Sequence, residues 1–126
     1  MPQKSLIHEK PNKSLTNYLR AHRRKTGLTQ RELAQFLGYG THGAVSRHER
    51  IEAVPSLVVA LSYQILYQVP VSEIFAGLTE TVELDIEAQL VEFESYLGAQ
   101  SAVGGRADAI ARKLEWLSER RSSGYK

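Results

Sequence analysis

Ten cationic side chains fall within the first fifty residues: Lys4, Lys10, Lys13, Arg20, Arg23, Arg24, Lys25, Arg31, Arg47 and Arg50. Three acids oppose them, leaving a local charge of +7. Hydroxyl, amide and imidazole groups are interleaved with the later cations, in Thr29-Gln30-Arg31, Thr41-His42-Gly43 and Ser46-Arg47. The chemistry these groups offer is hydrogen bonding and charge pairing to an anion. A concentrated positive region favours a polyanion, because each phosphate neutralised releases condensed counterions. The competing reading is a solvated charged face.

Covalent chemistry has little to work with. The four histidines (His8, His22, His42 and His48) lack a metal-ligand spacing. No Gly-rich phosphate loop, Ser-centred elbow or paired-carboxylate motif is present. The expectation is a protein that is not an enzyme and has no metal and no cofactor. The absence of cysteine excludes disulfides and thiolate metal sites and is compatible with a reducing compartment. No apolar run approaches the roughly 20 residues needed to span a bilayer, and the segment MPQKSLIHEKPNKS lacks the apolar stretch of a secretory signal. A soluble, cytoplasmic chain is expected.

Charge divides the 126 residues into three blocks. Residues 51–105 carry eight acids and no Lys or Arg, and residues 106–126 carry six bases against three acids. The ends are basic and the middle acidic.

The elements that must position the polar groups follow from stripes, caps and breakers. Residues 1–13 have no apolar periodicity and read as a flexible basic arm. Ser14 is the expected cap of a first helix carrying Leu15, Tyr18, Leu19 and His22 or Arg23, ended by Gly27. Thr29 and Glu32 form a capping box for a second helix that buries Leu33, Ala34 and Leu37, points Gln30, Arg31 and Gln35 outward and stops at Gly38. After Gly38-Tyr39-Gly40, Thr41 is the expected cap of a third helix running to Arg50. There Ala44, Val45 and His48 face inward, leaving His42, Gly43, Ser46, Arg47 and Arg50 outside. Pro55 opens a fourth helix with Leu57, Leu61 and Ile65 as its core stripe, ended by Pro70. Ser72 caps a short turn, SEIFAG, whose Ile74 and Phe75 close the core.

From Thr79 a longer helix carries Val82, Ile86, Leu90, Phe93 and Leu97. After Gly104-Gly105 a last helix carries Ala107, Ile110, Leu114 and Leu117. The expected organisation is the arm at 1–13, a first domain at 14–76, a helical extension at 77–121 and a disordered tail at 122–126.

The second helix, its glycine-containing turn and the short polar-faced third helix resemble the Cro-type, lambda-repressor-like family of regulators, also called the xenobiotic-response-element family. The resemblance covers Leu15 to Phe75, about half the chain. It is carried by Arg23-x-x-x-Gly27-Leu28-Thr29-Gln30, Glu32-Leu33-Ala34, Leu37-Gly38, Val45-Ser46-Arg47-x-Glu49-Arg50, Pro55-Ser56-Leu57 and Val71-Ser72-Glu73-Ile74-Phe75. It implies an all-α, five-helix helix-turn-helix domain, here followed by two amphipathic helices. Ile51 stands where a glycine commonly ends the third helix in that family, and Gln68 where another ends the fourth.

By the same resemblance the protein is a sequence-specific transcriptional regulator, a repressor in the first instance. The implied DNA-facing set is Thr29, Gln30, Arg31, Thr41, His42, Gly43, Ser46, Arg47 and Arg50, with Arg23 and Glu49 as a structural ion pair. A protruding helix can read base edges in the major groove, and Arg47 has the guanidinium fork that guanine accepts. The expected partner is double-stranded DNA with a palindromic operator, met by a homodimer. Residues 79–121 are expected to join two copies, to pack on their own domain or to bind a protein partner. The last case gives the alternative of an antitoxin or protein-interaction regulator.

Overall fold

Glycine and threonine set the ends of the first two helices. In the computed structural model, which describes residues 17–100 and 104–123, α1 (Leu19–Thr26) stops at Gly27 and α2 (Gln30–Leu37) at Gly38. Both glycines take the left-handed backbone conformation, with φ of 82° and 83°, which they adopt without the Cβ clash other residues meet. Between them Thr29 caps α2 reciprocally. Glu32 N donates to Thr29 Oγ1 at 3.0 Å, and Thr29 N donates to Glu32 Oε1 at 2.9 Å. Two amide donors that a helix start would otherwise leave open are thereby satisfied.

Five further helices follow: α3 (Gly43–Glu49), α4 (Leu57–Tyr67), α5 (Val71–Ile74), α6 (Ala76–Gly98) and α7 (Gly105–Ser123). The described residues contain no strand, so the fold is all-α. The chain divides into two compact units, with the boundary between Glu83 and Leu84, inside α6. The arm expected at 1–13, the cap at Ser14 and residues 124–126 of the expected tail lie outside the described residues.

The core of the first unit draws Leu19 from α1, Leu33 and Ala34 from α2, Val45 from α3, Val59, Ala60 and Tyr63 from α4, Ile74 from α5, and Phe75. Burying an aliphatic side chain of this size contributes about 1.5–3 kcal/mol. The stretch before α1 is tied down by backbone and side chain together. Tyr18 N donates to Ile74 O at 2.8 Å, Asn17 Nδ2 to His48 O at 3.0 Å, and Leu19 N to Asn17 Oδ1 at 3.2 Å.

Several boundaries and one face differ from the sequence expectation. The first helix begins at Leu19, so Tyr18 precedes it and is exposed. Thr41 does not cap α3. Its hydroxyl reaches only the Gly43 amide at 3.4 Å, and the N-cap is His42, which makes no side-chain cap bond. At α5 the capping group is not Ser72 but Gln64, whose Oε1 accepts from Val71 N at 2.8 Å. Phe75 separates α5 from α6, which starts at Ala76 rather than Thr79 and runs on without a further break. Residues 122 and 123, expected in the tail, belong to α7.

The largest correction concerns α4. Leu57, Leu61 and Ile65 are exposed, and the helix buries Val59, Ala60 and Tyr63 instead, with Leu66 and Tyr67 partly covered. Both stripes are apolar, so periodicity alone was equally consistent with either facing inward. The inward choice follows Tyr63, the largest fully buried side chain, whose hydroxyl finds a partner in the core.

α3 and α4 end as α2 does, although neither has a glycine there. Glu52 N donates to Arg47 O at 2.8 Å and Ile51 N to His48 O at 3.2 Å, a Schellman pair like the one formed by Tyr39 N and Gly38 N at the end of α2. The left-handed residue is Ile51 at φ 60° in α3 and Gln68 at φ 55° in α4.

In the second unit, residues 84–123, Arg120 on α7 pairs with Glu87 on α6 at 2.8 Å, and Arg121 with Glu94. Leu97 and Leu117 are buried. Of the expected α6 stripe Ile86 is exposed, because one neighbouring helix covers only a narrow line of another. No helix among the described residues is long and apolar enough to cross a membrane.

Candidate functional site

α3 is short and is held from behind by two groups of contacts. The first centres on Glu49, whose side chain is only 2% exposed. Arg23 on α1 grips it with both prongs: Nε donates to Oε2 at 2.6 Å and Nη2 to Oε1 at 3.1 Å. Gln30 at the start of α2 adds a bond from Nε2 to Oε1 at 3.0 Å, and Arg20 Nε stands 3.9 Å away. The third guanidinium nitrogen, Arg23 Nη1, donates to Leu28 O at 3.1 Å, joining the α1–α2 loop to the same cluster. The hydrogen bond that Arg23 donates to Glu49 raises its already high pKa. A planar fork on a carboxylate fixes orientation as well as charge.

The second group centres on His48, one residue earlier. Its ring is buried, and Nδ1 lies 3.0 Å from the Tyr63 hydroxyl of α4. Tyr39 and Tyr63 flank the ring with centroids 6.1 and 5.9 Å away. Burial holds the imidazole below the usual histidine range, and the neighbouring Arg47 charge pushes the same way. Burial also raises the Tyr63 and Tyr67 hydroxyls, Tyr67 to about 12. Tyr67 stacks on His22, and its buried hydroxyl has no hydrogen-bond partner among the described residues.

The other face of α3 is polar and open. Arg47 is exposed, as are Thr41 and His42 in the preceding turn, while Gly43 and Ser46 are half-covered. The Arg47 side chain lies back along the helix. A Cβ placed on Gly43 would come 3.4 Å from Arg47 Nη1 and 3.6 Å from Thr41 Oγ1. The glycine thus leaves room for a guanidinium and a hydroxyl to gather at the N-terminal end of α3.

The remaining candidates are distributed differently. Arg50 is held by its own neighbours, through Nη2 to Glu52 Oε1 at 3.2 Å and Nε to Ser46 O at 3.4 Å. Gln30 is directed to Glu49, away from the outward role expected for it. Thr29 is engaged in its capping box, and Arg31 is exposed on α2. No group of three or more metal-ligating side chains occurs among the described residues.

No family model, curated protein or solved structure matches the chain.

Three contributors to the geometry of α3 are not among the sequence expectations: Gln30 as a Glu49 donor, Tyr63 as the His48 partner, and Asn17, which bonds the last turn of α3. A polar residue inside an apolar stripe signals the second, since a buried tyrosine hydroxyl requires a partner. Nothing in local spacing signals the other two, which depend on contacts between segments far apart in the chain.

Proposed function

We propose that this chain is a sequence-specific DNA-binding regulator of transcription, dimeric on its site, in which α2, the turn and α3 act as a helix-turn-helix of the Cro and lambda-repressor type. The observation that carries the reading is the asymmetry of α3. Its back is fixed to α1, α2 and α4 through Glu49 and His48, and its front presents Thr41, His42 and Arg47 to solvent, with Ser46 half-covered beside them. A reading helix needs that combination, because a side chain discriminates bases only if the backbone carrying it is held in register.

In this proposal Arg47 reads guanine, a bidentate contact contributing about 1–3 kcal/mol of discrimination. Thr29 and Arg31 face phosphate beside the N-terminus of α2, where amides and the helix dipole favour an anion. Gln30 and Arg50 act indirectly, the first by orienting Glu49 and the second through its exposed pair with Glu52. Two copies place their α3 helices about 34 Å apart on a palindromic site.

The test is selection of bound sites from random duplex DNA, followed by titration of the selected site with Arg47→Ala. The expected result is a symmetric site whose preference for one G·C pair is lost in the variant. An unchanged affinity and base preference would sink the assignment. Binding should also fall steeply with salt, since every phosphate contact releases counterions.

A second reading, a regulator or antitoxin that binds a protein partner through residues 79–121, is favoured by the exposure of Leu84, Ile86, Val91 and Tyr96 on α6 and Trp116 on α7. Co-purification after expression with the adjoining reading frame separates it from a stand-alone regulator.

A further inference from the structure

The outer face of α4 has no role in the proposed reading of DNA, yet it is the most apolar exposed surface of the first unit. Leu57, Val58 and Ile65 are 73%, 74% and 71% exposed, and Leu61, between them on the i, i+4, i+8 row, is 42% exposed. Val54, just before the helix, extends the patch. A single exposed leucine is ordinary, whereas a contiguous apolar row on one helix marks an interaction surface.

Charge identifies the occupant. From residue 53 to residue 72 the chain has no Asp, Glu, Lys or Arg, although charged residues make up 24% of the whole. A charged partner would find nothing on this face to steer or orient it. A two-fold interface has the opposite requirement: each patch meets its own copy, so like charges on it would face one another. A neutral, apolar row meets that condition without any change.

We propose that the outer face of α4 is the surface on which a second copy of this chain docks. The Leu57–Leu61–Ile65 row is an i±4 ridge, and two such ridges interdigitate with helix axes crossing at about −50°. Leu61 lies at the middle of the row and so beside the two-fold axis. The inner face of the same helix carries Tyr63, which bonds His48 on α3. One helix then joins the dimer contact to the back of α3, so that the spacing of the two α3 helices is set within the first unit and does not depend on α6 or α7. This deepens the dimeric part of the proposed function but rests on its own measurement, made without DNA.

Sedimentation of the full chain across a concentration series gives the dimer constant. Ile65→Glu, at an exposed position, should raise the dissociation constant about a hundredfold or more by placing a carboxylate in an apolar contact, with no loss of helical circular dichroism. Ile86→Glu on α6 should leave the constant unchanged. Because the chain has no cysteine of its own, Leu61→Cys provides an independent reading: mild oxidation should convert the dimer to a disulfide-linked species, and Ser118→Cys should not crosslink. A wild type that is monomeric throughout would assign the face to a different partner and overturn the proposal. A dimer broken by Ile86→Glu but not by Ile65→Glu would overturn it equally. Failure of site selection with the α4 dimer intact would count against DNA binding alone.

Discussion

The back of α3 and the outer face of α4 are opposite solutions to placing a helix surface. On α3 the hidden side is polar and fully engaged: Glu49 receives Arg23 and Gln30, and His48 meets Tyr63. On α4 the visible side is apolar and makes no such bonds, with Leu57, Val58 and Ile65 in solvent. Polar groups are buried where direction matters, because a hydrogen-bonded carboxylate fixes a helix in a way that a methyl group does not. Apolar groups are left outside where a further contact would cover them. The contrast shows that fixing α3 and leaving α4 available are separate tasks in this fold.

The strongest way to break the contrast is to remove the carboxylate. Glu49→Ala leaves Arg23 pointing into a half-buried site with no counter-charge and Gln30 without its acceptor. Deleting one partner of a buried pair costs about 3–5 kcal/mol, so the urea midpoint should fall by a large fraction of total stability. Loss of less than about 1 kcal/mol, the range of an exposed ion pair, would mean that the cluster does not hold α3 in place.

A smaller effect comes from pH. The folded-state pKa of His48 lies below the usual histidine value, so between the two the unfolded chain binds a proton that the folded chain does not. The stability linked to His48 is therefore complete above about 6.5, the unperturbed value, and is lost as pH falls toward the depressed folded value. Unfolding free energies measured at pH 7.5 and 5.5 should decrease on acidification, and His48→Gln should flatten that slope. An unchanged slope in the variant would remove His48 as its source.

Much of this arrangement is visible in residue order, and the losses have physical causes. The Thr29–Glu32 box and the stops at Gly27 and Gly38 are local, depending on residues at most three or four apart. The inward position of His48 follows from helical period. The start of α3 differs from the sequence expectation because a threonine at position 41 has the right chemistry for a cap but lies too far back, reaching only Gly43 N at 3.4 Å. The buried face of α4 is not legible locally because two apolar stripes compete and the deciding bond, Tyr63 to His48, joins residues fifteen apart. Gln30 looked like a surface amide because its acceptor lies nineteen residues away.

The two helix ends that lack glycine provide the finest test. Ile51 and Gln68 both occupy the left-handed region, which costs a side-chain-bearing residue about 1–2 kcal/mol. Gln68 is exposed, so Gln68→Gly relieves the strain without loss of packing, while the greater freedom of glycine in the unfolded chain offsets about 0.5–1 kcal/mol of the gain. A net stabilisation of about 0.5–1 kcal/mol is expected in urea unfolding. Ile51 has the same backbone geometry but is half-buried, so removing its side chain also removes covered apolar surface. Ile51→Gly should therefore give no net gain. If both variants stabilise equally, the Ile51 side chain contributes nothing to holding α3, and the fixation of that helix rests on Glu49 and His48.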